Sequence, residues 1–231
     1  MAELQRRAAD LLFAALPAKS PSHIIDAGAG TGHGSRALQQ HWPTTAILAI
    51  DFAQAMLHVA GGGVCADIEH LPLADTCTDL YWSNLAFQWC NATAAMAEAS
   101  RVLKPAGFLA ISTLGPGTLD ELRQAFSGLD GFQHVLDFEP ASRLEAACAA
   151  ANFEDIRIFV QTIQFHHPDL RASLQALKAL GASHVGGPRR PGLLGRKAWQ
   201  TVEARHEARR TAAGLPSTYE VILCTARKPT F

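Results

Sequence analysis

Residues 23–27, 46–50, 80–83 and 108–112 form four short apolar runs, separated by stretches of helical periodicity at 35–41, 54–59 and 93–103. Apolar runs this short suit strands buried on both faces, and a helix between successive strands brings the next one in parallel to the last. The alternation therefore predicts an α/β chain whose doubly wound parallel sheet has right-handed crossovers. With 231 residues, 48% of them hydrophobic and 18% charged, the chain can fill one large core of this kind.

The second half reads differently. Lys104-Pro105-Ala106-Gly107 is a helix stop and a tight turn feeding the strand at 108–112. Gly115-Pro116-Gly117 opens a helix over 118–126, and an irregular stretch runs on to Glu139. A helix at 140–151 precedes an alternating strand at 156–165. Two helical segments follow, 170–180 and 196–209, split by a loop rich in Gly and Pro at 186–195. The closing run 218–225 reads as a strand antiparallel to 156–165.

Several function classes fall away on composition. A net charge of −1 calls for neither nucleic acid nor an anionic membrane as partner. Cys65, Cys77, Cys90, Cys148 and Cys224 are odd in number and contain no CxxC pair, which points to free thiols in a reducing compartment. The ten histidines show no metal-ligand spacing beyond His166-His167, whose side chains on a strand point to opposite faces, so no metal is expected. Arg6 and Arg7 ahead of the apolar residues 11–18 have the outline of a short signal sequence. Glu3 and Asp10 interrupt it, and Leu4, Leu11, Leu12 and Ala15 fall at helical spacing, so an amphipathic surface helix is expected. No run approaches the roughly 20 apolar residues of a membrane span. A soluble, cytoplasmic protein is expected.

The candidate site begins at Asp26-Ala27-Gly28-Ala29-Gly30-Thr31-Gly32, between a strand and a helix. Gly28, Gly30 and Gly32 let the backbone turn tightly and approach a ligand with no Cβ in the way. A dinucleotide fingerprint counted from Gly28 would place glycine at 33, where His33 stands. The glycines repeat every second residue behind an aspartate instead, a spacing that fits a sulfonium nucleoside. Asp51 ends the next strand, where a carboxylate can take two ribose hydroxyls or simply cap the next helix. Asp67 could accept from an adenine amino group while Ile68 and Phe52 flank the ring. The strand ending at Asn84 and Leu85 would face the amino-acid end of such a ligand, since ligands bind beyond the carboxyl ends of strands in such sheets.

Taken in order, these four elements resemble the class I S-adenosylmethionine-dependent methyltransferase family over residues 22 to 113. The resemblance implies S-adenosylmethionine as methyl donor and a seven-stranded Rossmann-like sheet with a helical cap inserted late. It further implies one domain: a donor-binding core (1–113), a cap and acceptor region with one core strand (114–212), and a terminal antiparallel strand (213–231). The strings DIEHLPL (67–73), WSNLAFQWC (82–90), STLGPGTLDEL (112–122), LKALGASH (177–184) and PSTYEV (216–221) are similar to the malonyl-[acyl-carrier protein] O-methyltransferases of biotin synthesis. This implies methylation of the free carboxylate of a malonyl thioester carried by acyl carrier protein.

Such an acceptor needs a cation or hydrogen-bond donor for its second carboxylate oxygen. The candidates are Gln88 and Trp89, just past the strand that would face the donor, together with His134, Lys178 and His184. Each also has a structural reading: a helix start under the cap, a snorkelling lysine on the Leu174–Leu177–Leu180 face, or solvated loop histidines. Arg189, Arg190, Arg196, Lys197, Arg205, Arg209 and Arg210 are offset only by Glu203 and Glu207 between positions 189 and 210. They form either a dock for acidic acyl carrier protein or a solvated helix face.

The sequence departs from the family pattern in two places. The family carries a further N-terminal segment with an aromatic residue ahead of the helix matched here by residues 4–16, and this sequence begins almost at that helix, so weaker water exclusion is expected. Asp137 stands where the family tends to show a basic residue, and pointing inward it would repel a carboxylate. A methyltransferase for another small carboxyl or phenol acceptor, and a donor-binding partner without catalysis, are the alternative expectations.

Overall fold

The computed structural model describes residues 2–179 and 194–230. Its elements are α1 (Ala2–Ala14), β1 (His23–Ala27), α2 (His33–His41), β2 (Ala46–Asp51), α3 (Gln54–Ala60), β3 (Val64–Cys65), β4 (Thr78–Asn84), α4 (Ala92–Val102) and β5 (Leu103–Leu114). After these come α5 (Asp120–Phe126), α6 (Ala141–Ala150), β6 (Glu154–His167), α7 (Leu170–Ala179), α8 (Arg196–Glu207) and β7 (Leu215–Arg227). The strands make one seven-stranded sheet in the order β3-β2-β1-β4-β5-β7-β6. β1 pairs parallel with β2 and β4, β2 with β3, and β4 with β5.

β7 reverses direction. Lys228 N donates to Gly107 O and Gly115 N to Glu220 O, so residue numbers rise on β5 as they fall on its partner. The same holds between β7 and β6, where Gln164 donates to Thr218 and Gly214 lies against His167.

By compactness the chain divides into two units. The first comprises Ala2–Leu114, Glu139–Gln161 and Ile222–Phe231, the second Gly115–Phe138 and Thr162–Val221. The core of the first unit gathers Ile25, Ile50, Tyr81, Met96, Leu109 and Ile111 with Leu144 and Cys148 of α6. In the second unit α5 and α7 both pack on α8, and the residues after β5 are bonded to β7: Leu119 N donates to Thr218 O, and Thr118 and Glu220 exchange bonds.

Four sequence expectations need correction. β3 has two residues, too short to register as an apolar run, and is entered through Gly63, whose missing Cβ would lie 2.5 Å from Ala49 O. The Lys104–Gly107 turn is not separate from the strand. It is an irregular start of β5, with Ala106 at φ +61° and five residues of β5 set against two of β4. α5 begins at Asp120 rather than 118, because Thr118 is bonded to Glu220 and Leu119 is left-handed at φ +56°. In α1 the buried stripe is Leu4, Ala8, Ala9 and Leu12, whereas Leu11 is only half-buried, as is Ala15 in the turn just past the helix. Among the described residues no helix is long and apolar enough to cross a membrane.

Candidate functional site

The first unit sets its candidate residues at the carboxyl ends of four adjacent parallel strands. β3 leads to Asp67, β2 ends in Asp51, β1 delivers Asp26 and the glycine loop, and β4 ends in Asn84. Parallel strands share one polarity, so consecutive turns that are distant in sequence collect on one edge.

The loop is fastened by its own amides. Gly28 N and Ala29 N both donate to Ile50 O, at 2.8 and 2.9 Å, and Gly32 N donates to Ala29 O. Gly30 N donates to the Asp51 carboxylate at 2.7 Å, and the other Asp51 oxygen accepts from Ala53 N at 2.8 Å. A phosphate-cradling loop needs those N–H groups aimed outward and unspent. Here they are consumed within the protein, which favours a ligand with no phosphate at this turn. The glycines differ in their reasons. A Cβ on Gly28 (φ +73°) would fall 2.2 Å from Ala86 Cβ, and one on Gly32 (φ +77°) 2.8 Å from Ala60 Cβ. At Gly30 (φ +55°) a Cβ would meet nothing within 4 Å, so its bare face opens on free space.

Asp26 is buried, and Ser35 on α2 donates to it at 2.5 Å through its hydroxyl and again through its backbone. Burial raises its carboxyl to about 6, against the partial relief from Ser35. The neighbours that sequence reasoning missed are Gly34, where a Cβ would stand 3.0 Å from this carboxylate and 3.2 Å from Trp82 Nε1, and Trp82, whose buried Nε1 has no partner among the described residues. Glycine two residues beyond Gly32 continues the alternation and was the available signal.

The residues proposed around an adenine ring differ in exposure. Phe52 is 79% exposed, a large apolar face directly after Asp51. Ile68 is a buried member of the core, and Asp67 is exposed and caps its own turn by accepting from Glu69 N. β3 brings the two strand ends together: Cys65 pairs with Asp51 and its thiol reaches Phe52 O. Asn84 spends both ends of its amide within the protein, accepting from Ser112 Oγ at 2.7 Å and donating to Gln5 O at 2.9 Å. Leu85 is left-handed at φ +54°, held by bonds from its N–H to both oxygens of Ser112.

Gln88 and Trp89 lie in the single helical turn Phe87–Trp89 that follows Ala86, the residue against Gly28. Trp89 is half exposed. Gln88 donates to Leu85 O at 2.7 Å and accepts from Thr113 at 3.3 Å.

The remaining acceptor candidates belong to the second unit. His134 is bonded to Asp130 at 2.9 Å and stacked on Phe126, a fully structural set of contacts. Lys178 is exposed on α7. His184, Arg189 and Arg190 lie outside the described residues. Asp137 faces solvent and pairs with Arg123 at 2.7 Å, so the feared inward carboxylate is turned outward and neutralised. Of the basic series, Arg205 donates to Ser127 O and Ala125 O, Arg209 bonds Gln124, and Arg210 bonds Glu207 and Pro168 O. Arg196 and Lys197 are exposed at the start of α8. Among the described residues no group of three His, Cys, Asp or Glu side chains could hold a metal ion.

Comparison with known proteins identifies the family and the fold. Residues 25–111 match the model of a methyltransferase domain. Over 98% of its length the chain is 42% identical to the malonyl-[acyl-carrier protein] O-methyltransferase of Dechloromonas aromatica, covering 88% of that protein. The chain belongs to the malonyl-[acyl-carrier protein] O-methyltransferase family. It is a methyltransferase, and its sheet is the class I methyltransferase sheet. Solved structures with the same fold include the YcgJ protein of Bacillus subtilis, with a TM-score of 0.68 at 16% identity, covering 97% of this chain and 99% of that one. Another is the geranyl diphosphate C-methyltransferase of Streptomyces coelicolor in complex with Mg2+, geranyl diphosphate and S-adenosyl-L-homocysteine. It aligns with a TM-score of 0.59 at 14% identity, over 98% of this chain and 80% of that one. These likenesses speak for the fold alone, whereas the family's acceptor rests on the full-length sequence match.

Proposed function

We propose that this chain methylates the free carboxylate of malonyl-acyl carrier protein, with S-adenosylmethionine as donor. The observation that carries this reading is the 42% identity running through 98% of the chain, far beyond the 25–111 stretch matched by the general methyltransferase domain. The donor fits the residues present: a glycine loop with its amides already spent, an open face at Gly30, a carboxylate at Asp51 and an exposed aromatic ring at Phe52. Asp51 would hold the ribose hydroxyls with the lone pairs its two backbone bonds leave over. Phe52 would cover the adenine, with Asp67 and Ile68 at its edge. Gly28, Gly30 and Gly32 would shape the approach, and Asp26, Asn84 and Leu85 the methionine end. Bound there, S-adenosylmethionine supplies a methyl group activated by its sulfonium.

The chain's own task is then modest in acid–base terms. A carboxylic acid is ionised at neutral pH, so no general base is required. What remains is to hold the carboxylate oxygen in line and keep water away, which is where orientation supplies rate. Gln88 is the anchor best placed for this, because it follows the strand end that carries Asn84 and turns against the donor loop through Ala86. Trp89 offers an apolar wall beside it. Lys178 and His184 stand as secondary candidates for the acceptor, and His134 as a weaker one, since Asp130 already holds it. Among the described residues, docking of acidic acyl carrier protein falls to Arg196 and Lys197, because Arg205, Arg209 and Arg210 are bonded within the chain. In domain terms, donor binding and the Gln88–Trp89 anchor are assigned to the 1–113 core, and the other acceptor candidates to the region 114–212.

Transfer of labelled methyl to malonyl-acyl carrier protein, with malonyl-coenzyme A in parallel and calorimetric donor binding as control, tests this directly. Strong preference for the carrier protein is the expected result. Donor binding with no transfer to either thioester would overturn the acceptor assignment while leaving the donor site standing.

A further inference from the structure

Resting on the reading of Gln88 as the acceptor anchor, we infer that Thr113 is a positioning residue that holds the Gln88 amide in place, while Leu85 O sets which way round that amide lies. A side-chain amide has a donating and an accepting end, and only the donating end can serve a carboxylate. Presented the other way round, Gln88 would place its carbonyl oxygen against an anion and repel it.

Three contacts hold the amide and the turn beneath it. Leu85 O accepts from Gln88 Nε2 at 2.7 Å, which uses one of its two N–H groups. The Thr113 hydroxyl donates to Gln88 Oε1 at 3.3 Å, fixing the opposite end. Leu85 itself is held left-handed by Ser112, whose backbone and side-chain oxygens both accept from Leu85 N at 3.0 Å. Ser112 and Thr113 are consecutive at the carboxyl end of β5, and Thr113 is only 7% exposed. Each therefore locks one side of the same turn. With one N–H engaged by Leu85 O, the donor that Gln88 has left to offer is its second N–H. Thr113 does not touch the acceptor in this scheme and acts through Gln88.

The test compares Thr113→Val, which keeps the shape and removes the hydroxyl, with Thr113→Ser, which keeps the hydroxyl. Both are set beside Gln88→Ala and the double variant Thr113→Val/Gln88→Ala. Thr113→Val is expected to raise the KM for malonyl-acyl carrier protein about tenfold, the scale of one lost hydrogen bond. Thr113→Ser should stay within about threefold of the parent, and donor affinity and Tm should hold in both. The double variant should be no worse than Gln88→Ala alone, because the hydroxyl acts only through that amide. An unchanged KM in Thr113→Val alongside an impaired Gln88→Ala overturns the inference and leaves Gln88 as anchor. If Gln88→Ala is itself silent, the anchor reading fails and takes the inference with it. A Thr113→Val variant that loses donor affinity or Tm, and that Thr113→Ser does not rescue, overturns the inference in favour of a packing role.

Discussion

The two units of the molecule use polar side chains in opposite ways. In the first, Asp51 and Asp26 sit at strand ends and bind the backbone or side chains of the turns beside them, so they shape the edge of the proposed donor site while bonded within the protein. In the second, the side chains with the most conspicuous charge, Arg205, Arg209 and Arg210, stay exposed and bond that unit's own oxygens. Arg205 reaches Ser127 O and Ala125 O at the end of α5, where the last carbonyls of a helix lack intrahelical partners. A strand end fixes where a residue stands, whereas a cluster of charge in sequence leaves open where its bonds go.

The sharpest way to break this contrast is at the glycine loop. Gly28→Ala puts a methyl group 2.2 Å from Ala86 Cβ at φ +73°, combining overlap with left-handed strain. A stability loss of about 3 kcal/mol is expected, with donor affinity down by about 100-fold or more. Gly30→Ala is the matched control, because it carries the strain with no neighbour in reach. It should cost about 1 kcal/mol of stability and still weaken the donor if the open face is where the ligand lies. Thermal unfolding and calorimetric titration of both variants separate the two effects. Equal stability in Gly28→Ala and the parent would refute the packing account.

Asp51→Ala comes next. It removes the acceptor of Gly30 N and Ala53 N along with the proposed ribose ligand, and should weaken donor binding about 10- to 100-fold. Unchanged affinity would remove Asp51 from the donor site.

How much of this was legible beforehand follows the same division. The alternating runs gave β1, β2, β4, β5 and their helices within a few residues, because parallel strands buried on both faces are apolar throughout. β3 escaped because two residues carry no period. The placing of Asp26, Asp51 and Asn84 at strand ends follows from local sequence. Their bonds do not: that Asn84 clamps Gln5 to Ser112, or that Ile68 belongs to the core while Phe52 stands free, depends on partners far away in the chain. Asp137 is the clearest case, since only the structure pairs it with Arg123 in solvent.

Asp26 tests whether a buried carboxylate serves the fold or the ligand. Burial raises its pKa from 3.8 to about 6, so the folded chain holds this proton more tightly than the unfolded chain does. The stabilising contribution is therefore complete below about pH 3.8 and is lost as pH rises through about 6, to the extent of about 3 kcal/mol by neutral pH. Asp26→Asn cannot ionise, so its Tm should gain on the parent's as pH rises from 4 to 8. If the charged form is kept for a cationic ligand group, donor affinity in the parent should fall about tenfold between pH 7 and pH 5, and Asp26→Asn should show no such slope. A parallel pH profile in the two proteins would assign Asp26 to capping α2 through Ser35 alone.

The smallest expected effects settle the second unit. If Arg205 serves α5, then Arg205→Ala should lower stability by about 1 kcal/mol while leaving carrier-protein affinity nearly unchanged, since its bonds to Ser127 O and Ala125 O are internal. Arg196→Glu with Lys197→Glu should do the reverse. Both residues are exposed at the start of α8, where a basic side chain gains nothing from the helix dipole, so reversal should leave Tm the same or slightly higher. Carrier-protein binding should weaken about 3- to 10-fold at low salt, mostly through a slower on-rate, and the difference should shrink as salt is raised. The pair of outcomes matters more than either alone. Weakened binding from Arg205→Ala with Tm intact would mean that this arginine leaves α5 to meet the partner, and the contrast between the two units would then be one of the free chain rather than of the working enzyme.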